Sequence, residues 1–563
     1  MNEPGAGSRE PGAGSREPGA GTTFVPERRV VFVGHNRNSV ARLLDVQELL
    51  HNDLRIEYVY AISSSSQAPA GTLELLRDHG VADTSMTALP AVGDDCHLVL
   101  TASENIDFAA TKGPVVLFAH GFGFNKEWPD GHLAGLPRPD ALATGRILIL
   151  LSTSEQDNQL RAAYSGKGLR TQVVGDSTLD QLTASLPLRN RYRRRLGADN
   201  RRLIVFASSW GPESGIARHP GLLRTLLAGL PYDSYRLCLV LHPRVWAEHG
   251  TRFLELGFSD ELDSGAAVLP PEAGWHAALV AADLVLTDHG SLGLYSAGIG
   301  RPLLLTEPAT ETVPGSPVAA LHELAPHLDP GENLRAQVDA AVENYDATRY
   351  QPVTSRLFEH RGEAADRIQR VLYDLLALEP QRSAPLLRAP DPVPWKHREP
   401  AAFRVRLTPA SAGGVSVDRR PAAAFQHDSD LWPIPQSEEE WPLVVEESVR
   451  DLRCAERASV LCRGEPAGAE SAWEWTAQTL DAYPAQFAVA SVGSGRYAAR
   501  TRDGRRLWLT TTADVPVTIA AAAAFARVRT ESPLATEFPV EFGPHRCRMR
   551  IEVTDRPVPP AAG

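Results

Sequence analysis

Lysine, paired cysteines and long apolar runs are all scarce in this sequence. Only four of its 57 basic residues are lysine, so arginine is the default cation and a single arginine says little about binding. The five cysteines are scattered without a Cys-x-x-Cys pair, which argues against a zinc site or a disulfide framework and favours a reducing, cytoplasmic setting. The sequence therefore indicates no metal and no cofactor.

Membrane spans and general nucleic-acid binding are also disfavoured. No apolar run approaches the ~18 residues that cross a bilayer as a helix, and the signal-peptide pattern is missing, so we expect no export. The net charge of −12 argues against a nucleic-acid binder, because such proteins neutralise phosphates with a basic face. The rest of the composition, with 43% hydrophobic and 22% charged residues, is that of a globular protein.

The sequence divides into five segments. Residues 1–27 contain a Pro/Gly repeat without large apolar side chains, and we expect them to be disordered. Two series of short apolar runs that alternate with helical segments follow, a pattern typical of parallel sheets covered by helices. We predict two tandem Rossmann-like, doubly wound α/β lobes at 28–180 and 181–380. A Pro/Ala/Arg-rich linker at 381–440 and a small C-terminal α+β module of unknown role at 441–563 follow.

The predicted elements can be given by residue. The strands of the two lobes are Val30–Val33, Ile56–Ala61, His97–Leu100, Val115–Phe118, Ile147–Leu151 and Thr171–Val174, then Leu203–Phe206, Leu237–Leu241, Ala267–Leu269, Leu284–Thr287 and Pro302–Leu305. A long amphipathic helix, Leu357–Leu378, is expected to close the second lobe. In the C-terminal segment we expect helices at Glu438–Leu452 and Ala472–Leu480 and a hairpin that turns on Asp503-Gly504.

Ligands of open α/β sheets bind beyond the carboxyl ends of the strands, so residues that follow the apolar runs are candidates. The first candidate place is the glycine-containing loop after Val115–Phe118, where His120 could accept a proton from a hydroxyl and Lys126 could offset phosphate charge. The alternative is a histidine that only bonds the loop backbone.

A second candidate place follows Leu237–Leu241. There His242 is held by a following proline, and both His242 and Arg244 could reach an anionic group. The alternative is an ordinary loop histidine beside a surface arginine.

The third candidate place runs from Thr287 through Asp288 to Gly290 and Ser291. The amides at the start of the following helix, together with the Ser291 hydroxyl, would form an anion site that suits a diphosphate. The alternative is a helix that Asp288 or Ser291 simply caps.

In this order the three places resemble the CDP-glycerol:polyol-phosphate glycerophosphotransferase family, whose members share strand–His-Gly–Lys, strand–His-Pro and Thr-Asp-Tyr-Ser-Ser elements. Val173–Asp180, Leu203–Trp210 and Leu357–Leu376 also resemble segments of that family. The likeness covers about residues 30–378 and does not account for the C-terminal segment. Asp288-His289-Gly290-Ser291 stands where the family has Asp-Tyr-Ser-Ser, which leaves the donor nucleotide open.

The resemblance implies a GT-B-type fold and transfer of glycerol phosphate from CDP-glycerol to a hydroxyl of a teichoic acid-like or lipid-linked acceptor. It makes His120 the base and His242 an acid or donor-phosphate partner, with Lys126 near the acceptor. The donor phosphates would be held by Thr287, Asp288, Gly290 and Ser291, with Ser209 and Arg244 close by.

Two other functions stay open. Nucleotide-sugar glycosyltransferases and UDP-sugar 2-epimerases share these lobes, and Glu307 could then bind a ribose or sugar hydroxyl. The chain could instead be a non-catalytic scaffold that presents residues 441–563 to a protein partner. The run Arg189–Arg195 is either a peripheral contact with the inner membrane face or a solvated helix face.

Overall fold

The computed structural model describes residues 24–66, 69–89, 96–119, 122–125, 132–271, 273–307, 312–381, 384–391, 398–425, 441–530 and 537–554. Of the predicted leader at residues 1–27, residues 1–23 lie outside this set.

The first lobe is a parallel sheet of seven strands covered by helices on both faces. Its strands are β1 (Arg28–Gly34), β2 (Ile56–Ile62), β3 (Met86–Ala88), β4 (Leu98–Thr101), β5 (Val115–Leu117), β6 (Ile147–Leu151) and β7 (Arg170–Val173), in the order β3-β2-β1-β4-β5-β6-β7. The first four helices are α1 (Arg37–Gln47), α2 (Pro69–Asp78), α3 (Pro139–Ala143) and α4 (Ser154–Ala163). Strands such as β1 are buried on both faces, which is why they read as continuous apolar runs.

The second lobe is a parallel sheet of five strands. They are β8 (Arg202–Ser208), β9 (Tyr235–Leu241), β10 (Ala267–Val268), β11 (Leu284–Thr287) and β12 (Leu303–Leu305), in the order β10-β9-β8-β11-β12. Its helices are α5 (Ser177–Ala184), α6 (Arg189–Arg195), α7 (Gly215–Arg218), α8 (Leu222–Gly229), α9 (Pro243–His249), α10 (Thr251–Gly257), α11 (Ser259–Asp263), α12 (Trp275–Ala281), α13 (Ser291–Gly298), α14 (Pro317–Leu324), α15 (Leu334–Glu343) and α16 (Gln351–Leu357). The predicted tandem of two Rossmann-like lobes is confirmed.

The helix expected to close the second lobe packs on the first lobe instead. It is α17 (Ala364–Leu376), and its apolar side shares a core with β1 residues such as Phe32. Its Gln369 amide donates to the Leu49 carbonyl over 2.9 Å, which fixes it on that lobe. The prediction was wrong because periodicity identifies an apolar helix face but not the sheet that the face covers.

The chain crosses between the lobes twice, at Gly175 and near Glu359, and the two crossings touch. A Cβ on Gly175 would lie 2.8 Å from the Glu359 carbonyl oxygen, so glycine permits this approach. In α5, Asp180 accepts from the Gly362 amide over 2.6 Å and the Ala364 amide over 2.9 Å, at the start of α17. Burial raises the pKa of Asp180, and these two bonds oppose the rise.

Two arginines of the predicted membrane-contact run have structural partners. Arg193 donates to the Asp283 carboxylate over 2.6 Å, and Arg189 pairs with the same carboxylate. Asp283 also accepts from the Leu203 amide over 2.8 Å, so it joins α6 to the starts of β8 and β11.

The C-terminal part is a closed nine-stranded barrel rather than the small α+β module expected. Around the barrel the order is β13 (Ala402–Ala410), β14 (Gly414–Pro421), β20 (Glu537–Phe542), β21 (His545–Val553), β19 (Arg506–Thr511), β18 (Arg496–Thr501), β17 (Phe487–Gly493), β16 (Val460–Arg463) and β15 (Leu443–Glu446). Two of its strands, β13 and β14, come from the predicted linker. The expected helix at Glu438–Leu452 is wrong where described, because Leu443–Glu446 is a strand.

A helix fills the interior of this barrel. Besides α18 (Leu452–Glu456) and α19 (Ala469–Ala482), the barrel segment contains α20 (Val517–Arg529), whose residues from Val517 to Phe525 are all buried. They share one core with inward-facing residues of many strands, such as Phe487 and Met549. The small side chains of Ala520–Ala524 keep the helix thin enough to fit inside the barrel. This explains the alanine-rich composition of the segment.

A buried ion pair fixes the barrel to the second lobe. The Arg419 guanidinium of β14 binds both carboxylate oxygens of Asp233, over 2.8 and 2.7 Å, and donates to Thr518 Oγ1 in α20 over 2.5 Å. Both side chains of the pair are at most 10% exposed. The barrel and the second lobe therefore share a polar contact that no solvent screens.

No helix among the described residues is long and apolar enough to cross a membrane.

Replacing Asp233 with alanine is expected to destabilise the protein. Losing one partner of a buried pair leaves an uncompensated charge and costs about 3–5 kcal/mol. The matched control is Glu552→Ala, which removes the partner of exposed Arg550 in the same barrel and should cost about 1 kcal/mol or less. Urea unfolding followed by tryptophan fluorescence measures both, and equal losses would contradict a holding role for the Asp233–Arg419 pair.

Candidate functional site

The two sheets meet at one cleft. Both sheets are parallel, and the strand order of each reverses once, between β1 and β4 in the first lobe and between β8 and β11 in the second. Ligands of open α/β sheets bind beyond the carboxyl ends of the strands at this place. A cleft of about 980 Å³ lies there, lined from the first lobe by Asn38 and Ser103 among others and from the second by Ser209, His242 and Ser291. The predicted residues Ser209, His242 and Ser291 therefore line one cleft, and their roles there stay predictions.

The carboxylate of Asp288 organises the second-lobe side. Its Oδ2 accepts from the Ser209 amide over 2.8 Å, from the Ser209 hydroxyl over 2.9 Å, from the Ser208 hydroxyl over 3.1 Å and from the Gly215 amide over 2.9 Å. Its Oδ1 accepts from the Gly290 amide over 3.0 Å. Asp288 is 2% exposed, so it acts on a ligand only by holding the loops around it.

The start of α13 offers uncapped amides to the cleft. Gly290 is the N-cap residue and provides no side-chain cap; the Gly293 amide donates to its carbonyl over 3.2 Å, which leaves the Ser291 and Leu292 amides at the helix start. His289, Gly290 and Ser291 all line the cleft. Unpaired amides, the helix dipole and an adjacent serine together favour an anion. The predicted anion site is thus an uncapped helix start beside the cleft, with Asp288 behind it.

His242 is the N-cap of α9 and faces the same cleft. Its Nδ1 accepts from the Arg244 amide over 3.1 Å, so in the neutral ring the proton is on Nε2. That nitrogen lies 3.1 Å from the side-chain amide of Asn38 in the first lobe. Neutral His242 is therefore a hydrogen-bond donor into the cleft, not a base.

Arg244 is held at the cleft edge by Trp210. The guanidinium carbon lies 3.9 Å from the centre of the indole ring, a cation–π contact. The same indole lies 6.3 Å from the His242 ring, measured between centroids. All three side chains line the cleft. The Trp210 indole therefore lies beside two groups that can donate hydrogen bonds, the Arg244 guanidinium and the His242 imidazole.

Besides Asp288, two other predicted residues do not line the cleft. Thr287 ends β11, is 1% exposed and lies beneath the first turn of α13, where a Cβ on Gly293 would come within 3.2 Å of its methyl group. The Glu307 carboxylate contacts the His219 ring and lies 3.9 Å from the Arg218 guanidinium, at the end of α7. These positions suit packing and loop support.

His120 and Lys126, predicted as the base and as the acceptor or phosphate contact, lie outside the described residues. Their roles stay predictions. Residues between them, from Phe122 to Asn125, do line the cleft together with Phe118 and Ala119.

Sequence reasoning missed the first-lobe partner of His242. Asn38 follows β1 by four residues, and the rule that found His242 in the loop after β9 applied to it equally. It was missed because a polar Asn-Arg-Asn loop has no family motif and no titratable side chain. Trp210 was noticed only as part of the resemblance, without its contact to Arg244.

A buried histidine lies under the anion site. His322 of α14 is 8% exposed. Burial, followed by the nearby imidazoles of His327 and His289, lowers its pKa from 6.5 to about 4, and Asp288 opposes this shift. His322 is therefore neutral at physiological pH. Among the described residues no three His, Cys, Asp or Glu side chains are grouped to hold a metal ion.

No protein-family model matches the sequence, and comparison with curated proteins gives no match. Among solved structures, the wall teichoic acid polymerase TagF is 13% identical, with 63% of this chain and 90% of that one covered, at a TM-score of 0.40. UDP-GlcNAc 2-epimerase from Neisseria meningitidis, bound to UDP-GlcNAc, is 15% identical, with 62% and 100% covered, at 0.41. Likenesses this distant carry no argument about this chain, whose fold rests on its own strand order.

Replacing Asp288 with asparagine should destabilise the site. The amide group must face either the four donors around Oδ2 or the Gly290 amide, and opposed donors cost about 1–3 kcal/mol. The control is Asp329→Asn, an exposed aspartate whose carboxylate accepts from the Gly331 amide, where water can replace the bond. Urea unfolding compares the two, and an Asp288→Asn loss no larger than that of the control would contradict the organising role.

Acid should weaken the folded state partly through His322. Because its folded pKa lies below the unfolded value, the unfolded chain gains its proton first, and the free energy of unfolding falls as pH drops from about 6.5 to about 4. His322→Leu should reduce this fall by roughly 1.4 kcal/mol per unit of pKa difference removed. Urea unfolding at pH 7 and pH 4.5 measures this loss of stability, and His249→Leu, at an exposed histidine, is the control. An equal loss in His322→Leu and in the unmodified protein would contradict the role of His322.

Proposed function

We propose that this chain is a GT-B-type transferase that binds a nucleotide-diphosphate-linked donor in the cleft and passes a glycerol-phosphate-like group from a CDP-linked donor to a hydroxyl acceptor. One observation carries the proposal. The uncapped start of α13 and the Nε2–H of His242 border the same cleft, at the switch points of both sheets. This arrangement supports a site for two adjacent phosphates.

The α13 amides suit the phosphate that stays fixed during the reaction. They are part of the backbone, and Asp288 fixes the loops before them, so they need no reorganisation when charge develops. Arg244 would supply a mobile cation at the edge of the cleft, because its exposed guanidinium rests on Trp210 without a described carboxylate partner. Phosphoryl transfer depends mainly on such positioning and charge stabilisation.

In the proposed reaction, the acceptor oxygen attacks the phosphorus that carries glycerol and the bond from that phosphorus to the bridging oxygen breaks. The acceptor proton leaves and CMP departs with the bridging oxygen. The Nε2–H of His242 would donate to the phosphate oxygens that gain charge, in keeping with its locked tautomer. His120 would accept the acceptor proton, as the sequence resemblance implies.

A nucleotide-sugar donor is the alternative that keeps the same phosphate site. The residue suggested for it, Glu307, is paired with His219 and does not line the cleft, so the described structure gives the sugar donor no added support. The non-catalytic scaffold predicts no donor binding at all. Both alternatives are outcomes of the experiment below.

The protein should bind CDP-glycerol and turn it over, with a dependence on His242. Thermal shifts with CDP-glycerol, CDP-ribitol, UDP-GlcNAc and GDP-mannose rank the donors, because a ligand at 100 times its Kd adds ~2.7 kcal/mol of stability. CMP release in the presence of a polyol-phosphate acceptor measures turnover. His242→Ala should lower kcat by about 10²–10⁴-fold, the range for loss of a general acid or base.

His249→Ala is the matched control, because His249 is an exposed histidine at the other end of α9. It should leave binding and turnover unchanged. Stabilisation by UDP-GlcNAc or GDP-mannose alone would replace the CDP-linked donor with a sugar donor. Absence of stabilisation by all four ligands would remove the transferase proposal.

A further inference from the structure

A side-chain hydrogen bond crosses the cleft between the lobes. The amide of Asn38, in the first turn of α1, lies 3.1 Å from Nε2 of His242. One helical turn later, Arg42 donates to the Ser177 hydroxyl over 3.1 Å and to the Thr178 hydroxyl over 3.3 Å at the start of α5. Positions four apart share a helix face, so the same face of α1 meets the second lobe at the crossing and at the cleft.

The partner of the His242 Nε2–H must be a hydrogen-bond acceptor. Its Nδ1 accepts from the Arg244 amide, which leaves the ring proton on Nε2, facing Asn38. Of the two amide atoms of Asn38, Oδ1 is buried without a described partner, whereas Nδ2 faces His242. Two donors cannot share that bond. Flipping the side-chain amide of Asn38 interchanges its oxygen and nitrogen, which have nearly the same size. Oδ1 then accepts the hydrogen bond from the Nε2–H.

We propose that Asn38 is a positioning residue that holds the Nε2–H of His242 at the phosphate end of the cleft when the lobes are closed. While the site is empty, Oδ1 of Asn38 accepts a hydrogen bond from the Nε2–H. This bond fixes the ring from the side opposite to the Arg244 amide. When the donor enters, its phosphate oxygen replaces Asn38 Oδ1 as the acceptor of an Nε2–H that Asn38 has already directed to the phosphate end of the cleft. The catalytic consequence rests on the proposed function; the hydrogen bond itself does not.

This role requires the two lobes to be close. Asn38 belongs to α1 of the first lobe and His242 begins α9 of the second, and these helices lie in contact. Opening the cleft would separate them, whereas the Arg42 contacts lie at the base, beside the chain crossing. The His242 ring is thus held in one orientation only when the lobes are closed. Lobe closure therefore sets the direction of the Nε2–H.

The ligand-free protein tests the hydrogen bond directly. In protein labelled with ¹⁵N-histidine, the Nε2–H resonance of His242, assigned by its loss in His242→Gln, should show slow exchange with water. Asn38→Ala should make this exchange about fivefold faster, the factor that corresponds to one ordinary hydrogen bond. Asn38→Asp should restore slow exchange and let the imidazole retain its second proton to a higher pH, because a carboxylate favours the charged ring.

Turnover of CDP-glycerol tests the consequence. Asn38→Ala should lower kcat about ten- to hundredfold with little change in KM, because the catalytic group is displaced while the α13 amides still bind the donor. Asn38→Asp should recover most of the loss. Asn105→Ala is the matched control, because Asn105 also lines the first-lobe wall but has no described contact with the second lobe.

The outcomes separate the inference from the function. Exchange at His242 that is unchanged in Asn38→Ala, or changed equally in Asn105→Ala, overturns the positioning role even if CDP-glycerol is turned over. Exchange that depends on Asn38 in a protein that turns over no donor supports the interlobe bond and overturns the transferase proposal alone.

Discussion

The buried carboxylate of Asp288 is the interaction on which the second-lobe side of the cleft depends. It gathers donors from the end of β8, from the start of α7 and from the turn before α13. Two loops, the one between β8 and α7 and the one between β11 and α13, thereby take fixed positions, and the start of α13 borders the cleft. The resemblance implied that the aspartate holds the donor phosphates; its burial instead makes it the residue that orders the loops beside the cleft.

The first lobe completes the site because the chain crosses back to it. Gly175 allows the two crossings to touch, and Asp180 holds the start of α17, which packs on the first sheet. The lobes are therefore joined at one edge; elsewhere Asn38 meets His242, and the Val313 amide of the second lobe donates to the Asn125 carbonyl of the first over 2.9 Å. The barrel is fixed to the second lobe through Arg419 and Asp233, away from the residues that line the cleft.

Sequence alone predicted the two parallel sheets well, because strands buried on both faces, such as β1 and β9, leave continuous apolar runs. It missed the three-residue β3, which is too short to form such a run. The barrel could not be predicted, since its strands pair between residues far apart, as β13 does with β15, and α20 resembles a low-complexity alanine stretch. At the site, residues after strands were found where a motif marked them, as at His242 and Ser291. Asn38 was missed because its partner lies in the other lobe.

We propose that one pair of phosphates lies between the first turn of α13 and the imidazole of His242. A crystal structure of the protein soaked with CDP-glycerol tests it most directly. We predict phosphate oxygens within hydrogen-bonding distance of the Ser291 and Leu292 amides and of His242 Nε2. A nucleotide bound elsewhere, or a diphosphate that contacts neither α13 nor His242, would contradict the claim.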